Sequence, residues 1–289
     1  MDARLVITCL LVALSASALG KSATIHKLPL AEDQHFSKED VPNPFITGGE
    51  IVADGEIPYV VGIIMSLPTG TRWCGGTLIS TNYVLTAANC FITGPSPATV
   101  LLGATNQTEP AEIIPATTLI LHPEYEPGFF FNDIALLELS QPATVSPRVR
   151  PVRLPNWRQV FLSFQGQLAS TSGWGHQWQN SNEILPLYDL RRVRMPVMSN
   201  AVCLLQQLGG ITDFHICTST ELGSPCQGDQ GGPLTVADPD GGSTLIGIFS
   251  SLPLFGCNSG WPAIFTRITP YLQWISERTG IVISNDFEY

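Results

Sequence analysis

Positive charge is scarce in this chain. Its 289 residues carry 14 Lys and Arg against 24 Asp and Glu, and the resulting net charge of −10 argues against nucleic acid and anionic membrane surfaces as partners. Charged residues of both signs make up only 13%, while 26 Gly and 23 Pro punctuate the chain; this suits short strands and tight turns better than a helical bundle. No run beyond the first twenty residues is long enough to span a bilayer, so no membrane partner is expected. No Cys-x-x-Cys pair with a histidine partner at metal-binding spacing is present, and no nucleotide or haem signature occurs, so no metal and no cofactor are expected. Internal repeats and low-complexity tracts are also missing.

What is present begins with an export signal. Arg4 supplies a positive charge, residues 5–19 are apolar or small, and Ala18-Leu19-Gly20 offers a cleavage site. Residues 1–20 are therefore predicted to be a signal peptide, and the product to be secreted, extracellular and soluble. An uncleaved anchor is the alternative, but the apolar run is short and no stop-transfer pattern follows. Residues 21–45 are polar and Pro-punctuated without apolar periodicity, which reads as a short pro-segment or linker. Residues 46–289 then form one domain, long enough to bury a sizeable core.

Cys9 leaves with the signal. Cys74, Cys90, Cys203, Cys217, Cys226 and Cys257 remain, an even set for an oxidising compartment whose pairing the spacing alone does not choose. β-type runs are predicted over 59–65, 76–86, 99–103, 113–121, 134–139, 168–173, 193–197, 233–236, 245–249 and 263–267, with one closing helix over 270–278 ended by Gly280. Asn106-Gln107-Thr108 is a glycosylation sequon in a predicted loop. Glu109 and Glu112 beside it read as solvated carboxylates rather than a calcium loop.

The chemistry-bearing motifs are Leu85-Thr86-Ala87-Ala88-Asn89-Cys90, Asn132-Asp133-Ile134-Ala135-Leu136, Ser172-Gly173-Trp174-Gly175 and Gly228-Asp229-Gln230-Gly231-Gly232-Pro233. In this order they resemble the L-T-A-A-H-C, D-I-A-L, S-G-W-G and G-D-S-G-G-P blocks of trypsin- and chymotrypsin-like serine proteases, and look most like the brachyurin and collagenase-like chymotrypsins of arthropods. The resemblance runs from Ile46 to about Gly280. It implies an all-β fold of two antiparallel six-stranded barrels with a C-terminal helix, and disulfides Cys74–Cys90, Cys203–Cys217 and Cys226–Cys257. Each such bond contributes roughly 2–4 kcal/mol.

By the same resemblance, Asn89 stands where the catalytic base belongs, Asp133 where its orienting carboxylate belongs, and Gln230 where the nucleophile belongs. Gly228 and Gln230 would supply the oxyanion-hole N–H groups. Ser224, Ser250, Leu252 and Ala263 would line the primary specificity pocket, with Leu252 and Ala263 narrowing it and no fixed charge to select Lys or Arg. A carboxamide has no proton affinity near neutral pH and no activatable hydroxyl, so neither Asn89 nor Gln230 can do the chemistry of the residue it replaces. A buried Asp133 still needs a donor, and the Asn89 amide is expected to supply it; an Asn89 turned outward to water is the alternative.

Ile46 and Asp229 match the pair that forms when activation cleavage frees an N-terminal amine. Phe45 precedes Ile46, so a trypsin-like activator has no basic residue to recognise. Cleavage at Phe45 by a chymotrypsin-like enzyme and a chain that stays single and zymogen-like both remain open. The histidines, His26, His35, His122, His176 and His215, lie outside the catalytic motifs and read as solvated loop residues. The expectation is a secreted, monomeric, non-catalytic homologue that binds protein or peptide partners, such as an inhibitor or an active protease. A weakly active or unusual chymotrypsin- or elastase-like endopeptidase is the alternative.

Overall fold

The computed structural model describes residues 23–29, 46, 49–128, 131–175, 188–207, 210–251, 256–257 and 259–285. Two β-barrels are built from β-branched and leucine-rich runs whose side chains alternate across each strand, so that one face of each curved sheet lines a core.

The first barrel uses β3 (Val60–Leu67), β4 (Gly70–Leu78), β5 (Tyr83–Thr86), β6 (Ala98–Leu102), β7 (Glu112–Leu121) and β8 (Ala135–Leu139). Their antiparallel order β7-β6-β3-β4-β5-β8 is closed by pairing of β7 with β8. The 76–86 run, expected as one strand, is two: Ile79 N–H and Ser80 N–H both turn back to Tyr83 O, and Ser80 Oγ accepts from Tyr83 N–H at 3.1 Å.

The second barrel uses β9 (Leu168–Gly173), β10 (Arg191–Pro196), β11 (His215–Thr218), β12 (Pro233–Ala237), β13 (Ser243–Ser251) and β14 (Ala263–Arg267). The order is β11-β14-β13-β12-β9-β10, and a bridge between Val197 and Thr218 joins its ends. A short strand, β2 (Glu50–Ile51), adds to β10.

A further strand lies in the stretch read as a linker. β1 (Thr24–Lys27) pairs antiparallel with β7, so part of 21–45 is docked on the first barrel. Residues 1–22 and 30–45, including the signal and most of the pro-segment, lie outside the described residues.

Helix α1 (Asn200–Gln206) was not anticipated; Ser199 caps it by accepting from Val202 N–H at 3.2 Å. The closing helix α2 (Leu272–Thr279) begins two residues later than expected, because Thr269–Tyr271 forms a tighter 3-10 turn around Pro270. Leu272, Trp274 and Ile275 bury one face of α2 in the same core as the first barrel. The three disulfides are Cys74–Cys90, Cys203–Cys217 and Cys226–Cys257.

Candidate functional site

Asn89 is fixed from both sides. It lies in a 3-10 turn, Ala88–Phe91, that follows β5 directly, and its neighbour Cys90 is tied to Cys74 on β4. Asp133 sits just before β8 and is completely buried. The two meet in a dense set of hydrogen bonds. Asn89 N–H donates to Asp133 Oδ1 at 2.7 Å, and Asn89 Nδ2 donates to Asp133 Oδ2 at 2.6 Å and to Ser250 O at 2.9 Å. Both amide hydrogens thus face acceptors, which orients the carboxamide with nitrogen toward the carboxylate. The outward orientation of Asn89 is ruled out by these bonds and by its 6% exposure.

Ser250 Oγ adds a third donor to Asp133 at 2.5 Å. Burial is the largest influence on the Asp133 carboxyl and raises it from 3.8 to about 6, while the Ser250, Asn89 and Ala88 donors pull the other way. The arrangement keeps a carboxylate seated where a base would be oriented, but the group it holds has no proton to exchange.

Gln230 closes the other half of the site on itself. Its backbone carbonyl accepts from Gly75 N–H at 2.8 Å, and its side-chain Oε1 accepts from Gly228 N–H at 2.8 Å. Gly228 N–H is one of the two groups expected to hold an oxyanion, so the substituting side chain occupies that donor itself. Among the described residues this ring between Gly228 and Gln230 is a feature that no motif in the sequence announced.

The loop has little freedom to rearrange. Gly231 has φ +84°, and a Cβ there would lie 2.1 Å from Thr86 Oγ1 and 2.3 Å from Gly75 O. Gly231→Ala is therefore expected to cost about 3 kcal/mol or more, from backbone strain and overpacking together, measured by chemical denaturation.

Asp229 is 1% exposed, with its carboxylate packed against Gly173 and Gly175 at the end of β9. Gly175 N–H and Cys226 N–H donate to its two oxygens at 2.5 and 2.8 Å. A Cβ on residue 175 would lie 2.0 Å from Asp229 Oδ2, which is why the Ser-Gly-Trp-Gly block ends in glycine. Burial raises the Asp229 carboxyl from 3.8 to about 7 against the pull of the Cys226, Gly175 and Trp174 N–H groups. Among the described residues no cation pairs with it. Ile46 is fully buried and belongs to the second-barrel core with Val193 and Met195.

The pocket residues are placed unevenly. Ser224 and Ala263 are fully buried; Ser224 Oγ donates to Pro225 O at 2.8 Å, and Ala263 opens β14 opposite Thr218. The hydroxyl of Ser250, a residue expected at the pocket, donates to Asp133 Oδ2. Ser250 sits at an irregularity in the β13–β14 register between Phe249 and Ser251. Leu252 lies outside the described residues.

Three of the five histidines, His26, His122 and His215, lie among the described residues. His215, read as a solvated loop residue, is 2% exposed on β11, with its Nδ1 against Thr212 N–H at 3.1 Å. His122 is half-buried between the rings of Tyr271 and Trp274. His26 lies on β1, and His35 and His176 are outside the described residues. At the sequon, Asn106 Oδ1 accepts from Thr108 and Nδ2 donates to Asp189 at 2.9 Å; an N-linked glycan would leave one amide hydrogen for that bond. A groove of about 440 Å³ lined by Leu154, Phe164, Val236 and Ile283 shares no residue with the Asn89–Asp133–Gln230 cluster.

The Trypsin family model matches residues 46–275. Serine protease 1 of Drosophila melanogaster is 37% identical over 240 residues, covering 82% of this chain and 86% of that protein. Brachyurin of Leptuca pugilator is 37% identical over 241 residues, covering 82% and 99%. Collagenase of Hypoderma lineatum is 33% identical over 240 residues, covering 82% and 88%. The solved structure of HL collagenase superposes with a TM-score of 0.75 at 32% identity, covering 82% of this chain and all of that one. With its two closed barrels, three disulfides and a buried Asp133 aligned on position 89, the chain belongs to the trypsin family of serine proteases.

Proposed function

We propose that this protein is a secreted, non-catalytic serine protease homologue that acts by binding a protein or peptide partner, such as an inhibitor or an active protease. The observation that carries the reading is the use of both substituted side chains as internal hydrogen-bonding groups. The Asn89 amide donates to Asp133 at 2.6 Å, and Gln230 Oε1 takes the Gly228 N–H at 2.8 Å. Neither carboxamide can accept a proton near neutral pH or form an acyl ester, whereas relatives named serine protease and collagenase carry the names of active enzymes. Among the described residues both barrels and the three disulfides surround the missing chemistry, which favours a retained binding role over simple decay.

The N-terminal signal supports export. Among the described residues no helix is long and apolar enough to cross a membrane. Sequon occupancy at Asn106 belongs to the same reading.

The direct test treats the purified protein, cut at Phe45–Ile46, with a fluorophosphonate probe and with apolar peptide substrates. No labelling and no turnover are expected, together with measurable affinity for a chymotrypsin-type inhibitor or protease. Labelling of the wild-type protein, or turnover abolished by the probe, would overturn the proposal and favour the weak-hydrolase alternative.

A further inference from the structure

β7 is ten residues long, and its two ends have different neighbours. Residues 112–115 pair with β6, whereas 116–121 pair with β8 on the closing side of the barrel. Past the end of β6, residues 118–121 therefore offer a second, open edge of backbone N–H and C=O groups. β1 covers that edge in register, from Thr24 opposite Leu121 to Lys27 opposite Thr118.

The contact is built as a binding site is built. Leu28 N–H donates to Thr117 O at 2.8 Å, and the alternation of an antiparallel ladder then makes His26 and Thr24 hydrogen-bonding positions as well. Lys27 Nζ donates to Thr118 Oγ1 at 3.0 Å. Ala23 and Leu28, at the two ends of the strand, are buried in the first-barrel core, while Ile25 between them is 53% exposed. Residues 21–45 contain no cysteine, so nothing covalent except the chain itself joins this strand to the domain.

We propose that residues 23–28 are a strand-adding ligand of the β7 edge, and that they remain on the domain as a non-covalently held second chain when the connection 30–45 is cut. Main-chain bonds to β7 supply the attachment, and the buried Ala23 and Leu28 set which extended peptide fits: a small residue and a leucine five positions apart. The attachment also bears on the cleft. Leu121 is paired on one side with Thr24 and on the other with Ala135, the second residue after Asp133, so the strand braces the corner that presents the carboxylate.

The test uses the full secreted chain, cut by limited chymotrypsin within 30–45, where Phe36 and Phe45 lie. Native mass spectrometry and gel filtration then read whether the leader peptide travels with the domain. One leader peptide per domain is expected, released by denaturant and displaced by an excess of a synthetic peptide of residues 21–36. Leu28→Asp and His26→Pro are expected to raise the dissociation constant by about tenfold or more, while Ile25→Asp at the exposed position leaves it unchanged. Circular dichroism of each uncut variant establishes that the domain is folded. Elution of the leader apart from folded, cut wild-type protein overturns the proposal, as does equal retention by Leu28→Asp and Ile25→Asp.

Discussion

Replacing Asn89 by His and Gln230 by Ser together is expected to confer fluorophosphonate labelling and peptide hydrolysis on the cut protein, while either substitution alone leaves it at background. The base and the nucleophile act in one step, so restoring one without the other recovers almost nothing; loss of such a unit in a serine protease costs about 10⁶ in turnover. Much of the surrounding geometry is already in place. Asp133 is held by donors from Asn89 and Ser250, and position 89 is held by the Cys74–Cys90 disulfide. A histidine there can offer a ring N–H to Asp133 in place of the carboxamide.

Serine at 230 has a second consequence. It lacks the side-chain carbonyl that reaches Gly228 N–H, so the donor becomes free for a substrate oxygen. One such donor is worth about 2.7–4 kcal/mol of transition-state stabilisation. The single Gln230→Ser protein is thus expected to bind a peptide aldehyde or boronate more tightly than wild type without hydrolysing substrate. Calorimetry and a steady-state assay separate the two effects. A folded, cut double variant that stays silent toward every apolar substrate would locate the loss in the groove rather than in the two amides.

The second large effect is a fall in stability of the uncut protein as pH rises. Asp133 and Asp229 are both buried, and burial raises their carboxyls to about 6 and about 7 from an ordinary 3.8. From about pH 4 up to about pH 6 for Asp133 and about pH 7 for Asp229, the unfolded chain has lost the proton while the folded chain still holds it. The unfolded state therefore binds fewer protons, and stability is present at the acid end and lost as pH rises through the folded values. The slope is on the order of 1.4 kcal/mol per pH unit for each carboxylate where it is steepest. His122, lowered by burial, acts in the opposite direction below its ordinary 6.5, and Glu56, lowered by Arg192, matters only in more acid solution.

Urea midpoints at pH 5, 6, 7 and 8 check this directly. Asp229→Asn is expected to remove its share of the slope. Cutting at Phe45–Ile46 is expected to do so as well, because the freed α-amine of Ile46 gives the carboxylate a positive partner and lowers its pKa. An uncut protein that grows more stable from pH 5 to pH 8 would show that Asp229 is already paired with a cation.

Most of the strands were legible from runs of β-branched and leucine residues bounded by Gly, Pro and Asn. The 168–173 and 263–267 strands appear with the expected bounds, because a six-residue and a five-residue run between turns leave little choice of register. β11 was not legible: His215-Ile216-Cys217-Thr218 is too short to show a period, and it is a strand because β14 pairs with it. β1 was missed for a related reason. It is four residues long, its one apolar residue, Ile25, is exposed, and only the flanking Ala23 and Leu28 reach the core.

The site divides in the same way. Local motifs located Asn89, Asp133, Asp229 and Gln230, and the identity of each side chain decided what proton chemistry is excluded. The bond from Ser250 to Asp133 could not be read, because the two residues lie 117 positions apart in sequence. Nor could the bond from Gly228 N–H to Gln230 Oε1, which depends on the backbone of a loop with φ +96° at Gly228.

Sequence by itself settled the family, the order of most strands and the two carboxamides, since these rest on residue identity and short-range pattern. Tertiary structure alone decided which donors those carboxamides consume, how far two carboxylates are driven from their ordinary pKa, and where the leader strand docks. Those properties arise from burial and from contacts between segments far apart in the chain, and no local run of residues encodes them.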